Sequence, residues 1–205
     1  CFPKRACIAC KYSVRSDCVR GPCTAGPLLL FAALISIVTW FMTDNEELDY
    51  DVRIMHGFTL GILFISWFLR PFASSEGVMA SELNPLLQTD LMVIHPPVVF
   101  SYYALCIATA SVAMSGVIHK KSAKEIHDSQ LHWARAAFLI GTIGIGLGGL
   151  WAYTVLDWGG YWAWDPVETG SILPWFALLL IIHARSTSNV STSIKISPAL
   201  GLISG

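Results

Sequence analysis

Long apolar segments constrain the fold of this 205-residue chain more than any other feature. A helix needs roughly 20 apolar residues to cross a hydrocarbon core of about 30 Å. Four stretches approach or exceed that length, and a fifth is shorter. These segments are residues 24–42, 54–72, 93–118, 134–156 and 172–184. Only 13% of the residues are charged, about half of what soluble domains carry. The pattern predicts an all-α integral membrane protein, a polytopic helical bundle of about five transmembrane helices.

The two ends of the chain differ from the apolar part. We interpret residues 1–23 as a Cys-rich leader, 24–185 as the transmembrane domain, and 186–205 as an inner loop and the start of a truncated helix. The leader contains Cys7-x-x-Cys10, which fits zinc ligation or disulfides, although a leader without such a role is the simpler interpretation. Because the first residue is Cys, we expect a fragment or one chain of a split protein. The net charge of −1 gives no electrostatic footprint for nucleic acid.

An aromatic loop lies between the fourth and fifth segments, at residues 157–171. Trp and Tyr line membrane interfaces, but so dense a cluster exceeds that need. Glycines beside the aromatic rings permit close backbone approach, so the loop is suited to stacking on a large flat ligand such as a porphyrin. Asp165 and Glu168 are expected to cap the following helix. The residues we expect to contact the ligand are Trp158, Gly159, Gly160, Tyr161, Trp162, Trp164, Asp165 and Pro166.

A single histidine, His95, precedes a pair of prolines at the start of the third segment. Residues before proline avoid the helical region, so we expect His95 to lie in extended backbone ahead of the helix. Imidazole held in this way is a candidate iron ligand. A histidine that bonds a backbone carbonyl at a helix start is the alternative.

The charge distribution predicts which loops share a side of the membrane. Residues 119–135 are basic, and the positive-inside rule places such a loop on the cytoplasmic or matrix side. We interpret its histidines, His119, His127 and His132, as solvated. Alternation of the helices then brings His95 and the aromatic loop together on the outer side.

Two further features lie within the apolar segments. His183 is near the inner end of the fifth segment, where an ionisable residue indicates a functional site. An interfacial histidine beside Arg185 is the alternative. Gly144 and Gly148 have the spacing that lets helices approach closely. We expect them to form a packing face, and a face that accommodates a ligand is the weaker alternative.

Three stretches carry a resemblance to a known family. They are WGGYWAWDPVETGSILPW with His183 downstream, ELNPLLQTDLMVIHPPVVFSYY at 82–103, and LGGLWAY at 147–153. These are similar to motifs of the CcmF-type cytochrome c haem lyases, whose tryptophan-rich WWD loop is shared with the CcmC and CcsA types. The resemblance covers about residues 54–185. It implies that 24–185 is a haem-handling domain and that 157–171 is its WWD loop.

The resemblance implies haem b in two places. One is a substrate haem held under the WWD loop, with His95 as an axial ligand of its iron. The other is a permanent b-type haem in the membrane, ligated by His183. The family has a second histidine for each haem in a part that this chain lacks, so a complementary C-terminal CcmF chain is the implied source. The chain is then one part of a haem lyase (holocytochrome c synthase) complex and is incomplete alone.

The implied partners are apocytochrome c, a CcmE-like haem chaperone and a CcmH-like thiol-reducing protein. The implied location is the mitochondrial or bacterial inner membrane, with the WWD loop facing the intermembrane space or the periplasm. Two other functions stay open at this stage. One is a CcmC-like haem export or delivery protein without ligation activity, and the other is a cofactor-free structural membrane subunit.

Overall fold

The described part of the chain is helical throughout its regular structure. A computed structural model describes residues 22–43, 49–69, 89–155, 160–184 and 192–205. Its helices are α1 Pro22–Met42, α2 Tyr50–Phe68, α3 Leu91–Ile118, α4 Ala123–Thr154, α5 Pro166–His183 and α6 Thr192–Ser204. Residues 1–21, which make up nearly all of the predicted leader, lie outside the described residues.

Among the described residues, three helices are long and apolar enough to cross a membrane, namely α3, α4 and α5. The apolar part of α1, Gly26–Met42, is shorter. Helix α2 is long enough but carries Asp51 and Arg53 in its first turn, and it is not among the three. The described residues therefore form a helical protein with membrane-length helices, and the count of five spans stays a prediction.

Helices α3 and α4 form the centre of the bundle, and α4 presents small residues to α3. A side chain at Gly141 would meet the ring of Tyr102 at 2.6 Å, and one at Gly144 would meet Val99 at 3.2 Å. The expectation that Gly144 belongs to a packing face is confirmed. Tyr102 is 1% exposed, and its hydroxyl donates to the Ser171 carbonyl of α5 at 2.9 Å. This bond ties α5 to the two central helices.

Two apolar clusters surround this centre. One joins α3, α4 and α5 through Tyr102, Cys106, Ala134, Ala137, Leu178 and Ile181. The other packs the α1–α2 hairpin on α3 through Ile35, Met55, Ala104, Ile107 and Ala108. Many apolar side chains on the outward faces remain exposed, among them Leu60, Phe64 and Trp67, as expected for helices whose solvent is lipid.

Helix α4 begins earlier than the sequence analysis expected. Ser122 is its N-cap, with a reciprocal capping box to Glu125 that satisfies backbone donors at the helix start. The stretch 119–135, expected to be a basic loop, is therefore mostly helix. The reason is that the capping box starts a helix in a stretch that contains Ala123, Lys124, Glu125 and Gln130, residue types that favour helix.

One histidine of that stretch is buried rather than solvated. His127 is 2% exposed, and its Nδ1 is hydrogen bonded to Ser197 Oγ at 2.8 Å. Gln130, one turn further on, donates to the carbonyl and to the hydroxyl of Ser197 at 3.0 and 2.7 Å. The expectation for His127 was wrong because α6 covers this face of α4, a contact between residues 70 positions apart in the sequence.

The helix ends define two ends of the bundle. The α3–α4 turn lies beside the start of α2, because the rings of Tyr50 and His119 meet edge-on with centroids 5.0 Å apart. At the opposite end the start of α3, the last turns of α4 and the start of α5 come together. Every Lys and Arg among the described residues lies in the half of the bundle that contains the α3–α4 turn; these are Arg53, Lys120, Lys121, Lys124, Arg135 and Lys195.

Candidate functional site

A cavity opens where α3, α4 and α5 meet, at the end of the bundle away from these cations. Its volume is about 160 Å³, close to that of an engineered cavity that holds benzene. Helix α3, the end of α4, the loop after α4 and the start of α5 all contribute to its walls. The residues that define its chemistry are His95, Gly148, Trp151, Trp162, Asp165 and Glu168. It is a small, largely apolar and aromatic cavity with one imidazole.

His95 lies within α3 rather than ahead of it, so the expected extended backbone is wrong. The helix begins at Leu91 and continues through Pro96 and Pro97. Its first turn is closed by i,i+3 bonds, with the N–H groups of Met92 and Val93 donating to Thr89 and Asp90. Pro96 and Pro97 lie in the second turn, where they remove the N–H donors that would otherwise bond the carbonyls of Met92 and Val93.

The imidazole of His95 is unusual among the described histidines. Its Nδ1 is buried and makes no hydrogen bond; the backbone of Gly144 lies beside the ring but does not complete one. In contrast, Nδ1 of His56, His119 and His183 each lies 2.8 to 2.9 Å from the carbonyl four residues earlier. Buried polar atoms are nearly always paired. Nδ1 of His95 thus differs from these three nitrogens in lacking a protein partner, and its ring lines the cavity.

Two groups of α4 lie against the His95 ring. The indole of Trp151 meets it edge-on, with centroids 5.7 Å apart and planes at 86°. A side chain on Gly148 would lie 3.0 Å from Cε1 of the imidazole. The His95 ring thus lies between the Trp151 indole and the backbone of α4 at Gly148, which has no side chain.

The aromatic loop supplies a second unpaired donor to the cavity. Nε1 of Trp162 is buried without a hydrogen-bond partner, and Trp162 lines the same cavity as His95. The indole of Trp164 meets that of Trp162 at 81° with centroids 5.7 Å apart. The structure thus brings His95 and part of the predicted loop together, as the alternation of helices predicts.

The outer part of the loop is exposed and fixed in shape. Tyr161 is 59% and Trp164 70% exposed. Tyr161 stacks on Tyr153 of α4, with centroids 4.4 Å apart. Trp164 has a φ of 57°, a left-handed conformation that is costly for a side chain of this size. Backbone strain and exposed aromatic surface are both common at functional sites.

Asp165 caps α5, as expected, whereas the Glu168 carboxylate bonds the loop that precedes the helix. Asp165 is the N-cap and accepts a hydrogen bond from the Glu168 N–H, and Pro166 occupies the first turn. Glu168 Oε2 accepts from the Ala163 N–H at 2.8 Å. These bonds join the loop to the helix at two points. The arrangement gives both carboxylates a structural role in positioning Trp162 and Trp164.

The remaining predicted site residues lie elsewhere. Gly160 lines no described cavity, and Trp158 and Gly159 lie outside the described residues. His183 is the last residue of α5 and is exposed, roughly 27 Å along an 18-residue helix from the cavity. Its Nδ1 donates to the Leu179 carbonyl, which leaves Nε2 available for a ligand. The structure therefore separates His183 from the cavity that His95 lines.

Trp151 and Gly149 were not among the predicted site residues, and a ligand-accommodating face was only the weaker alternative for Gly148. They come from α4, which was interpreted as a packing helix. The Gly-Gly pair shortly before a tryptophan was the available signal, because two adjacent glycines in a helix are unfavourable unless something packs closely against them.

Comparisons with known proteins agree with these features. The family described as "Cytochrome C assembly protein" matches residues 23–203. The chain is 39% identical over 136 residues to the cytochrome c-type biogenesis protein NrfE of Haemophilus influenzae, a match that covers 64% of this chain and 20% of NrfE. It is 34% identical over 188 residues to CcmF of Escherichia coli, covering 83% of this chain and 28% of CcmF. No solved structure matches the chain significantly.

A third relative is the biogenesis protein ccl1 of Rhodobacter capsulatus, 34% identical over 155 residues, 73% of this chain and 24% of ccl1. The chain thus spans about a quarter of the length of these relatives. The family match nevertheless covers most of the chain, and the relatives with CcmF-type names confirm the resemblance inferred from the WWD and HPP motifs. The chain belongs to the cytochrome c assembly protein family, alongside its CcmF-type members.

Proposed function

We propose that the cavity binds haem b as cargo for cytochrome c maturation, with the His95 imidazole as a ligand of its iron. The observation that carries this proposal is the unpaired Nδ1 of His95 in a cavity walled by Trp151 and Trp162. Imidazole is a common axial ligand of haem iron, and indole faces suit a porphyrin. The same cavity offers the Trp162 N–H to an acceptor on the ligand.

The size of the cavity determines how much of the macrocycle it covers. A volume of about 160 Å³ lies below the roughly 300–1,000 Å³ of pockets that enclose whole ligands. One edge of a porphyrin would enter the cavity, and the exposed Tyr161 and Trp164 of the neighbouring loop would be available to the remainder. A macrocycle held by one edge keeps its other substituents accessible to a second protein.

Such partial exposure fits a role in a haem lyase complex. When a thiol of apocytochrome c adds across a vinyl group of haem, the S–H bond and the C=C π bond are replaced by a C–S and a C–H bond, with no net oxidation. This addition requires positioning more than acid–base catalysis. We assign this chain the task of orienting the haem, and the thiol-bearing and thiol-reducing partners the remaining tasks.

The charge distribution supports an orientation in the membrane. The described Lys and Arg residues lie in the half of the bundle away from the cavity, which the positive-inside rule assigns to the cytoplasm or matrix. The cavity then faces the periplasm or, in a mitochondrion, the intermembrane space. A CcmE-like haem chaperone and apocytochrome c would reach it from that side.

His183 is proposed as a ligand of a second, b-type haem at the opposite end of α5. Its Nδ1 donates to the Leu179 carbonyl, so Nε2 is the nitrogen that would bind iron; the assignment itself comes from the family resemblance. We infer that a complementary CcmF-type chain supplies the second ligand of each haem. This inference rests on the family resemblance and on the quarter-length coverage of the relatives.

Haem titration of the purified full chain tests the His95 assignment. We expect His95→Ala to lower the affinity for ferric haem and to change the absorption spectrum. His119→Ala is the matched control, because His119 is an exposed histidine whose Nδ1 bonds a carbonyl. Equal binding by the wild type and His95→Ala would refute the proposal.

Co-expression separates the lyase from a delivery protein. The chain, a complementary CcmF-type chain and an apocytochrome c are produced together, and covalent haem is measured after acid–acetone extraction. Covalent haem that depends on His95 supports the lyase role. Haem bound to the chain but never attached to the cytochrome would favour the CcmC-like alternative.

A further inference from the structure

Three glycines of α4 receive three side chains of α3 in register. Gly141 faces Tyr102, Gly144 faces Val99, and Gly148 faces His95, at 2.6, 3.2 and 3.0 Å from the point that a Cβ atom on each glycine would occupy. The intervals on the two antiparallel helices match, because residues three and four apart share one helix face. Gly148 is thus the last of the three glycines in this helix contact, and it is also the residue against which the His95 imidazole packs.

The three glycine contacts differ in how far the opposing side chain of α3 can move. Tyr102 is 1% exposed and its hydroxyl is bonded to Ser171, so it is fixed. His95 borders the cavity and its Nδ1 has no bond to hold it. A methyl group at Gly148 would therefore push the imidazole into the cavity instead of separating the helices.

The next residue of α4 supports a different wall of the cavity. A side chain on Gly149 would lie 3.0 Å from the carbonyl oxygen of Tyr161. That oxygen belongs to the backbone of the aromatic loop, which is anchored further along by Asp165 and Glu168. A methyl group at Gly149 would therefore displace the loop and leave His95 in place.

We propose that Gly148 and Gly149 are positioning residues that set the separation between the His95 imidazole and the aromatic loop. Gly148 determines where the iron-ligating ring stands, and Gly149 determines how closely the loop approaches α4. This inference rests on the proposed function, since it describes how the haem-binding cavity is given its width. Neither glycine contacts the haem in this role.

Alanine variants of the full chain in detergent test the proposal, and Gly146→Ala is the matched control. Gly146 lies in the same helix with no atom within 4 Å of the point that its Cβ would occupy. Two readouts are used. Ferric haem titration gives affinity and spectrum, and diethyl pyrocarbonate modification followed by mass spectrometry gives the reactivity of His95 in the haem-free chain, with His183 as internal reference.

We expect Gly148→Ala to weaken haem binding about 10- to 100-fold, as changes behind a metal ligand do, and to raise the modification rate of His95. Gly149→Ala should weaken haem binding while the His95 rate stays at the wild-type value. Gly148→Ala that matches Gly146→Ala in both readouts would overturn the role of Gly148. A His95 rate altered equally by both variants would overturn the division of roles.

The outcomes distinguish this inference from the haem proposal itself. If haem binds equally to the wild type and to His95→Ala, the haem proposal fails, and the modification rates alone decide the role of Gly148. If Gly148→Ala lowers thermal stability, the double variant with His95→Ala should regain it, because the ring that meets the methyl group is gone. If the double variant is as unstable as Gly148→Ala, the instability does not come from a clash between the new methyl group and the His95 ring.

Discussion

The His95 imidazole and the Trp151 indole stand edge to face, 5.7 Å apart and 86° from parallel. Such pairs contribute about 0.5–1.5 kcal/mol beyond the area they bury. The two residues come from two helices, and both line the cavity. Its strength bears on how firmly the imidazole is oriented before any ligand arrives.

Replacing Trp151 tests this orientation. We expect Trp151→Leu to weaken ferric haem binding by a factor that corresponds to about 0.5–1.5 kcal/mol, because the ring opposing His95 is lost. Trp151→Phe keeps an aromatic face and should retain most of the affinity. Absorption titration in detergent measures both variants. Equal affinities for the leucine and phenylalanine variants would show that the edge-on contact has no part in binding.

Replacing Trp162 tests the unpaired N–H. Trp162→Phe preserves an aromatic ring but removes Nε1–H, which is buried without a partner. If haem supplies an acceptor to this donor, affinity should fall by about 0.5–1.5 kcal/mol, the usual net value of a hydrogen bond. The haem-free chain should become slightly more stable to heat, because a buried unpaired donor is gone. Weaker binding together with lower stability would point to a packing role instead.

The N-cap of α5 gives a prediction about the loop. Asp165→Ala should lower the free energy of unfolding by about 1 kcal/mol, since the Glu168 N–H loses its acceptor. Asp165→Asn keeps a capping oxygen and should be nearly as stable as the wild type. Unfolding in sodium dodecyl sulfate followed by circular dichroism compares the two variants. A large drop in the free energy of unfolding of Asp165→Asn would mean that the negative charge of Asp165, and not its capping hydrogen bond, stabilises the helix.

The buried contact between α4 and α6 gives a prediction about stability alone. Ser197→Ala removes partners of His127 and Gln130, both almost fully buried. We expect Ser197→Ala to lower the free energy of unfolding by about 1–3 kcal/mol, because it leaves buried polar groups unpaired. The control is Ser129→Ala, on the exposed face of α4. Haem affinity should be unchanged in both variants, since this contact lies at the end away from the cavity.

The packing of α3 on α4 is tested by a pair of glycine variants. Gly141→Ala places a methyl group within 2.6 Å of the fixed Tyr102 ring, so overpacking should cost about 1–3 kcal/mol. Gly146→Ala meets nothing and should gain up to about 1 kcal/mol from helix propensity. Thermal unfolding in detergent gives the sign of each change. A stabilised Gly141→Ala would contradict the close approach of the helices.

Features encoded locally were predictable from the sequence. The apolar segments correspond to helices, Asp165 caps α5, and Gly144 packs against α3, because each depends on neighbours along one or two helices. Features set by distant parts of the chain were not. The burial of His127 depends on Ser197 of α6, and the helical backbone at His95 shows that helix packing overrides the preference imposed by Pro96.

The matched intervals of α3 and α4 limit how this chain can change length. An extra residue in α4 between Gly141 and Gly148 would rotate the following turn by about 100° and turn Gly148, Gly149 and Trp151 away from His95. An extra residue in the exposed turn at 119–122 would leave both intervals intact. Insertions and deletions among functional relatives should therefore fall in that turn and avoid the helix between these glycines.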